Sequence, residues 1–406
     1  MKHIMIIATL VPAMLAGMFF FPEIVLADHE NVPIYLGTYT GGQDGAKGIY
    51  LTHLNTQDGR LSEPQLVAEV SNPAFLAKHP TLPRLYAVTE HGQGDGSPIV
   101  AFAIDPATHA LTKLNEQSVP AFGACHLGVI PLPHVLNEPK KYAVVVAFYN
   151  DGATASLPLT DDGRLAPYVT LNKHEGRGPT SRQTQAHAHA VYPALYHNSI
   201  FVPDLGADRL FFYNTNADGT LTPGGEMKVP PGSGPRHAAV SQEWMTLFIL
   251  NELNSTICVS GIIGSSNFIP ENMPIQQTIS TVAGRNTVAP FPPEGKSAEN
   301  NFPAEIFLHP NGRFLYASNR GDDSIALFHF NTQTFQLELI ETTPCGGKTP
   351  RSFDLSPDGQ WLIVAAMQSD LITTFRIDPD TGRLTPTGHS IPVKQCACVL
   401  PVLLGK

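Results

Sequence analysis

The chain has few charged residues: Asp, Glu, Lys and Arg make up 15% of its 406 residues. A fraction this low is not typical of a disordered chain, and the apolar content of 42% is enough to build a large core. Basic residues are scarcer than acidic ones, 25 against 35, which gives a formal net charge of −10. This balance excludes a general nucleic-acid binder, because neutralising phosphates needs a basic face. It is compatible with a local cationic pocket for a small anion.

Cysteine is also scarce, and the five that are present all lie after residue 27: Cys125, Cys258, Cys345, Cys396 and Cys398. Their odd number and irregular spacing indicate neither a complete disulfide framework nor a zinc site. The chain lacks a G-x-S-x-G motif, and no cysteine stands beside a recognisable base. We therefore expect buried thiols, no activated nucleophile, no metal and no cofactor.

A helical period with caps at both ends is missing throughout, which argues against an α/β sheet. What recurs instead is an apolar, β-rich run followed by a polar turn and a second strand. Seven such runs can be counted, at 34–37, 85–89, 142–148, 200–203, 246–250, 314–318 and 361–365. The 34 glycines and 36 prolines suit the many tight turns that such a pattern needs.

Many of these units also carry an Asp/Gly turn followed by Leu, as in "QDGRL" at 57–61 and "DDGRL" at 161–165. The units begin about 45 to 70 residues apart, which is typical of four-stranded propeller blades. The sequence therefore predicts an all-β, seven-bladed β-propeller over residues 33–400.

The two ends of that domain predict how the ring closes. The first unit begins at Ile34 without an inner strand, and the chain ends in a β-like segment, "IPVKQCACVLPV". We expect this C-terminal strand to complete the first blade and remove two exposed edges. Residues 261–300 are rich in Pro, Asn and Ser, and we interpret them as an irregular loop at the rim of a site.

The first 27 residues have a basic start at Lys2, an apolar middle and small residues in Val25-Leu26-Ala27. This pattern predicts a signal peptide cleaved after Ala27 and a periplasmic or secreted protein. An uncleaved membrane anchor and a misplaced start codon are the alternatives. For the mature protein we expect a monomer with no stable membrane partner.

Charged residues stand at the edges of several predicted strands. In the stretch 232–259, Arg236 and His237 precede an apolar run and Glu252 follows it, so we interpret the stretch as one buried strand with charges at both ends. A buried Glu252 would need a cationic neighbour, because an unpaired buried charge is costly. Further candidates are His187, His189, Glu305, Arg320 and Arg351.

Arg236 and Arg351 each follow a proline and precede an inner strand, which places both on the same face of the ring. Loops at one end of a propeller converge on the central channel, so these residues should meet there although they are far apart in sequence. Arginines in such a place can bind a carboxylate or phosphate through paired hydrogen bonds. Arg320 could instead be a surface residue paired to Asp322 or Asp323.

At these residues the chain resembles the lactonase family of seven-bladed propellers, which includes propeller-type 6-phosphogluconolactonases and the muconate lactonising enzymes. The segments that carry the resemblance are "YLGTYTGG", "GPRH", "NELNS", "AEI", "HPNGRFLYASNRGDDSIA" and "PRSFDLSPDGQWLIVA". The resemblance covers nearly all of residues 33–400. Where the family often has "EIH", this chain has Phe307, and we expect a polar pocket contact to be missing there.

The resemblance implies catalytic roles for a histidine of the "HAH" segment, Arg236, Glu252 and Arg320. Position relative to Pro203 favours His189, with His187 as the alternative. The substrate-binding candidates are His187, His237, Glu305 and Arg351. In the hypothesis we adopt, His189 or Glu252 is the general base, while Arg236 and Arg320 bind the substrate and polarise its carbonyl.

The function that this implies is hydrolysis of a small anionic sugar lactone, in the manner of a 6-phosphogluconolactonase. Two alternatives stay open. One is an exported propeller that binds a ligand or partner without catalysis, since one fold can host both. The other is a cycloisomerase that forms a lactone from a muconate.

Overall fold

In a computed structural model, the described residues are 31–41, 45–91, 96–134, 139–194, 198–261, 270–282 and 301–404. They form seven antiparallel sheets of four strands each, which are the blades of a propeller. The first strands of neighbouring sheets pack against one another around the ring. The predicted seven-bladed, all-β architecture is confirmed.

The strands follow one another along the chain, four to a blade, except that the fourth strand of blade 1 comes from the C-terminus. Blade 1 contains β1 (Asn31–Thr38), β2 (Gly48–Asn55) and β3 (Gln65–Glu69); blade 2 contains β4 (Leu76–Lys78), β5 (Arg84–Val88), β6 (Ser97–Ile104) and β7 (Leu111–Val119). Blade 3 contains β8 (Ala124–Pro131), β9 (Tyr142–Phe148), β10 (Ala153–Pro158) and β11 (Thr170–Lys173); blade 4 contains β12 (Tyr192–Pro193), β13 (Ser199–Asp204), β14 (Arg209–Thr215) and β15 (Leu221–Lys228).

The remaining blades repeat the arrangement. Blade 5 contains β16 (Pro235–Ser241), β17 (Thr246–Asn251), β18 (Thr256–Gly261) and β19 (Ile275–Ser280); blade 6 contains β20 (Phe302–Leu308), β21 (Phe314–Arg320), β22 (Ser324–Asn331) and β23 (Gln336–Pro344). Blade 7 contains β24 (Pro350–Leu355), β25 (Trp361–Ala366), β26 (Leu371–Ile377) and β27 (Leu384–Pro392), and β28 (Cys396–Pro401) follows it. The only helices in the described part of the chain are two 3₁₀ turns, Pro270–Asn272 and Met367–Ser369.

The seven apolar runs found in the sequence are the second strands of the blades. All residues of β9 and β25 are buried, as expected of continuous apolar runs covered on both faces. The core is divided among the spaces between blades: one cluster joins blades 2 and 3, and another joins blades 6 and 7.

The C-terminal strand closes the ring. β28 pairs with β1 in antiparallel register, with Ile34 opposite Pro401 and Gly37 opposite Cys398, so blade 1 is built from both ends of the chain. This is the predicted closure, and it pairs strand edges that would otherwise be open. All five cysteines are buried free thiols, two of them in β28.

The Asp/Gly turns connect blades as well as strands. Gly59 has a φ of 75°, and a Cβ there would lie 2.3 Å from the ring of Trp361 in blade 7. The Trp361 indole also donates a hydrogen bond of 3.1 Å to the carbonyl of Thr56. The turn of one blade therefore packs on the neighbouring blade, and glycine is needed for both its backbone angle and its small size.

One prediction about regularity was wrong in part. The stretch 261–300 is not wholly irregular, since Ile275–Ser280 is the outer strand of blade 5. Residues 262–269 and 283–300 lie outside the described residues, as does the predicted signal peptide at 1–27. In the part of the chain that is described, no helix is long and apolar enough to span a membrane.

Candidate active site

Five blades share a backbone motif at one end of the ring. A residue with positive φ precedes the first strand, and its carbonyl accepts a hydrogen bond of 2.7–3.0 Å from the N–H of a residue that follows the second strand. We call the position of the residue that donates this N–H the rim position. It is occupied by Tyr39, Glu90, Tyr149, Glu252 and Met367, which bond respectively to Gln395, Asn72, Gly123, Gly234 and Thr349.

The first strands carry a second shared feature, a β-bulge just after that positive-φ residue. In each of four blades, one residue of the first strand has no partner in the register, and we call this the bulge position. The residues at the bulge position are Cys125, Arg236, Arg351 and Ala397. In blade 6 the register shifts between Pro303 and Ile306. Bulges are common beside functional sites because they redirect a side chain. Here they account for why Arg236 and Arg351 occupy equivalent places.

Arg236 and Glu252 lie on a hairpin of two strands, which corrects the interpretation of their segment as one strand. Residues 242–245 form a turn between β16 and β17, and Pro235 pairs with Asn251. The start of β16 and the end of β17 therefore meet at the same edge of the blade. Arg236 and Glu252 come together there, as expected from the sequence.

The Glu252 carboxylate is the centre of an ion cluster. Oε2 lies 3.0 Å from Nε of Arg236 and 2.8 Å from Nη2 of Arg320, and Oε1 lies 2.7 Å from Nη1 of Arg182. The Nε–H of Arg236 is close to the carboxylate without being aligned for a hydrogen bond. The Glu252 and Arg236 side chains are buried, whereas 42% of the Arg182 side chain is exposed. Glu252 was predicted to need a cationic neighbour, and three arginines contact it.

These arginines determine the ionisation of Glu252. Burial raises the pKa of the carboxyl, but the nearby charges of Arg320, Arg236 and Arg182 outweigh burial and lower it to about 2. Glu252 is thus a permanent anion that holds guanidinium groups in place. A group with so low a pKa is poorly suited to accept a proton near neutral pH.

Backbone carbonyls of blade 6 fix two of the same arginines. Nε of Arg320 donates a hydrogen bond of 2.9 Å to the carbonyl of Phe302, and Arg236 donates to the carbonyl of Ala304. Arg320 therefore belongs to the cluster, and its alternative as a surface residue paired to Asp322 or Asp323 was wrong.

His189 is buried beside this cluster. Its ring lies 5.4 Å from that of His237 and 5.5 Å from that of Tyr149, measured between centroids. Burial, followed by the charges of Arg236 and other cationic neighbours, lowers its pKa well below the usual value, so the imidazole is neutral at neutral pH. Its Nδ1 is buried without a hydrogen-bond partner. Such an atom costs about 1–3 kcal/mol, which favours a functional explanation.

His187 has a different place from His189. Its ring stacks on Tyr149 at 4.4 Å, and its Nδ1 donates a 2.8 Å hydrogen bond to the carbonyl of Tyr149. The Tyr149 hydroxyl in turn accepts a 2.9 Å hydrogen bond from Arg182. His187 thus supports the Tyr149–Arg182 wall, while His189 lies nearer to Arg236.

His237 and Glu305 form a buried pair with 2.6 Å between Nδ1 and Oε1. Burial raises the pKa of Glu305 to about 8 and lowers that of His237 well below its usual value. Both shifts favour a neutral carboxylic acid that donates to a neutral imidazole. The two side chains hydrogen-bond to each other, and little of either is exposed.

Arg351 belongs to a separate chain of contacts. Its Nη2 donates a 2.6 Å hydrogen bond to the hydroxyl oxygen of Tyr39, and that hydroxyl donates a 2.6 Å hydrogen bond to Oε2 of Glu90. The guanidinium also lies over the Tyr39 ring, 5.2 Å from its centroid. All three side chains are half-buried.

Phe307, which replaces the histidine common in the family, packs edge-on against Phe353 at 5.6 Å between ring centroids. It borders the hydrophobic cluster between blades 6 and 7. Among the described residues, no group of three His, Cys, Asp or Glu side chains is arranged to hold a metal.

Four residues of the site were not anticipated from the sequence: Tyr39, Glu90, Tyr149 and Arg182. Arg182 lies in a loop of Gly, Thr and Ser that has no strand pattern. The other three occupy rim positions, and a comparison of the residues that follow each apolar run could have found them.

The site combines a cluster of guanidinium groups, which can bind an anion and stabilise developing negative charge, with a neutral imidazole that can accept a proton. It offers these groups without an activated serine or cysteine. Burial raises the pKa of Cys125 to about 12, so this thiol is not a thiolate at neutral pH.

Comparison with known proteins finds the same family. The model of the seven-bladed β-propeller lactonases matches residues 33–401. The chain is 31% identical over 364 residues to the 6-phosphogluconolactonase of Bacillus subtilis, covering 89% of this chain and 96% of that protein. Its fold matches the periplasmic gluconolactonase of Pseudomonas aeruginosa with a TM-score of 0.76 and 28% identity, over 92% of this chain and 100% of that one. The chain therefore belongs to the lactonase family of seven-bladed β-propellers.

Proposed function

We propose that this protein hydrolyses a small anionic sugar lactone of the 6-phosphogluconolactone type. The observation that carries the proposal is the arginine cluster around Glu252 together with the nearby buried His189, whose imidazole is neutral and whose Nδ1 has no hydrogen-bond partner. The relatives named as a 6-phosphogluconolactonase and a gluconolactonase support the same reaction class.

In the proposed mechanism, His189 takes the proton from the attacking water. Of the two bases considered from the sequence, His189 is favoured over Glu252, because both oxygens of Glu252 are occupied by arginines whereas Nδ1 of His189 has no hydrogen-bond partner. Arg236 and Arg320 bind the substrate anion and stabilise the oxyanion that forms at the lactone carbonyl. Glu252 keeps the guanidinium groups in position.

Arg182 extends this cluster toward solvent. It is the most exposed of the three arginines on Glu252, so it can exchange its contact with Oε1 for a contact with an incoming anion. We assign it to substrate capture. The sequence suggested His237 and Glu305 as substrate-binding residues; in this account His237 packs against His189, and Glu305 holds His237.

We also propose that the protein acts as a monomer outside the cytoplasm, after cleavage behind Ala27. The sequence of residues 1–27 supports this location.

The test is a panel of lactones incubated with the mature protein, with spontaneous hydrolysis subtracted. 6-Phosphoglucono-δ-lactone, glucono-δ-lactone and an unsubstituted δ-lactone cover charge and hydroxylation separately. We expect the wild type to hydrolyse the phosphorylated lactone and His189→Asn to hydrolyse it far more slowly. Ligand binding without turnover of any lactone would instead favour the non-catalytic propeller.

A further inference from the structure

We propose that Glu90, held by Tyr39 and Arg351, is a subsite that recognises the hydroxyl groups of the lactone. The inference rests on the proposed function and deepens it, because it names the part of the substrate that these residues contact. We call Arg351, Tyr39 and Glu90 the second arm of the site, and Arg236 with Glu252 the first arm.

The two arms are built on equivalent backbone positions. Glu90 and Glu252 both occupy rim positions, in blades 2 and 5, and their N–H groups bond to Asn72 and Gly234 at 3.0 and 2.8 Å. Arg351 and Arg236 both occupy bulge positions. The repeat therefore brings both carboxylates and both guanidinium groups to the same end of the ring.

The arms also share one electrostatic environment. After burial and Glu252, the charge of Arg351 is the next influence on the pKa of Arg236. Cys125, at the bulge position of blade 3, lies within the fields of Glu90, Arg236 and Arg351. The arms therefore lie close enough for their charges to interact, at the end of the ring where their equivalent backbone positions place them.

The chemistry of the two arms differs. Both oxygens of Glu252 are occupied by arginines, whereas Glu90 contacts the protein through Oε2 and Tyr39; within the described residues, its Oε1 accepts no hydrogen bond. A half-buried carboxylate is an acceptor only, so Oε1 fits a ligand group that donates. A carboxylate and a doubly ionised phosphate have no proton to donate, and the charge of Glu90 repels them.

Arg351 supplies the complementary donors. Its Nη2 is committed to Tyr39, while Nε and Nη1 make no hydrogen bond among the described residues. A hydroxyl is the group that both accepts and donates, so it can accept from Arg351 and donate to Glu90. The Tyr39 hydroxyl fixes the spacing of the two through its 2.6 Å bonds to each. Tyr39 is thus a positioning residue, and Glu90 and Arg351 contact the ligand.

The test compares glucono-δ-lactone with δ-valerolactone, which has the same ring without hydroxyls. The measured quantity is the ratio of the two kcat/KM values in the wild type, Glu90→Gln and Tyr39→Phe. Glu90→Gln should lower the ratio about tenfold, because a hydrogen bond to a charged acceptor is stronger than one to a neutral acceptor. Tyr39→Phe should lower the ratio to a similar extent, because it removes the hydroxyl that positions Glu90 and Arg351. Glu116→Gln is the matched control, since Glu116 lies in the outer strand of the same blade and pairs with exposed Lys113.

An unchanged ratio in Glu90→Gln, with the variant folded as judged by its melting temperature, would overturn the inference. The proposed function is decided separately by hydrolysis of 6-phosphoglucono-δ-lactone, and if the wild type hydrolyses neither of the two uncharged lactones, calorimetry tests the inference instead. Gluconate should then bind more tightly than 5-hydroxypentanoate to the wild type, and Glu90→Gln should lose that preference. Equal binding of the two acids by the wild type would contradict a hydroxyl subsite.

Discussion

The Arg236 guanidinium and the Glu252 carboxylate lie 3.0 Å apart because the two strands of one hairpin return to the same edge of blade 5. The bulge at Arg236 turns this residue into the channel mouth, and the rim position places Glu252 beside it. The pair is the fixed point to which Arg182 and Arg320 attach.

Replacing Glu252 by Gln should reduce both turnover and stability. The substitution keeps the shape but removes the shared counter-charge of three arginines, and losing one partner of a buried pair costs about 3–5 kcal/mol. We expect about 2 kcal/mol, because glutamine still accepts a hydrogen bond and Arg182 is partly solvated. Urea unfolding measures this, with Glu116→Gln as the control; equal midpoints for Glu252→Gln and the wild type would be inconsistent with a stabilising cluster.

Glu305 should make the protein less stable as the pH rises above neutrality. Its pKa is raised from 4.5 to about 8 in the folded state, so its contribution to stability is complete below pH 4.5 and is lost as the pH rises through 8. The lowered pKa of His189 and of His237 act in the opposite direction, but only below about pH 6.5. Buried Asp354 also has a pKa raised well above its usual value, so Glu305 is distinguished by comparing the wild type with Glu305→Gln between pH 6.5 and 8.

In that window the wild type should lose up to about 2 kcal/mol of unfolding free energy relative to Glu305→Gln, at about 1.4 kcal/mol for each pH unit. Chemical denaturation at pH 6.5, 7.2 and 8 measures the difference. Parallel stability curves for the two proteins would show that Glu305 does not become ionised in this range.

Removing β28 should disrupt blade 1. A chain that ends at Gln395 leaves β1 without its inner neighbour and removes Cys396, Cys398 and Val399 from the two hydrophobic clusters that contain the buried residues of β1. We expect an insoluble protein or one with a much lower melting temperature. A truncation of residues 405–406 alone serves as the control, and a shortened chain that melts like the full one would disprove closure by this strand.

Cleavage of the signal peptide should leave a mature chain that begins at Asp28. The prediction rests on the basic start, apolar middle and small residues before Asp28, which are the pattern of a secretory signal peptide. Amino-terminal sequencing of the protein from separated cell fractions checks this, and a cytoplasmic chain that begins at Met1 would refute it.

Much of the fold was predictable because each blade repeats the same local pattern. The second strands are continuous apolar runs, and the Asp/Gly turns recur because a residue such as Gly59 must combine positive φ with close contact to the next blade. The first unit lacks one strand and the C-terminus has one strand left over, so the sequence also predicted that the C-terminal strand completes blade 1. In contrast, Ile275–Ser280 was missed because its "IQQTIS" has few apolar residues.

The site was predictable only where a charge stood at a strand edge. Arg236, Glu252 and Arg351 were found in this way, but their contacts depend on bulges that no residue type announces. Arg182 reaches Glu252 from a loop of another blade, so its role depends on tertiary structure alone. The sequence could not choose between His189 and Glu252 as the base for a related reason, since the pKa of Glu252 is lowered by three arginines, two of them far from it in sequence.

The central claim is that this mouth of the channel opens an anionic lactone. The most direct measurement is the hydrolysis of 6-phosphoglucono-δ-lactone by the mature protein and by Arg236→Ala, with spontaneous hydrolysis subtracted. The account predicts clear turnover by the wild type, and a loss of about 2–4 kcal/mol of transition-state stabilisation in the variant, as for removal of one oxyanion donor. Turnover no faster than the blank, or a variant as active as the wild type, would contradict it.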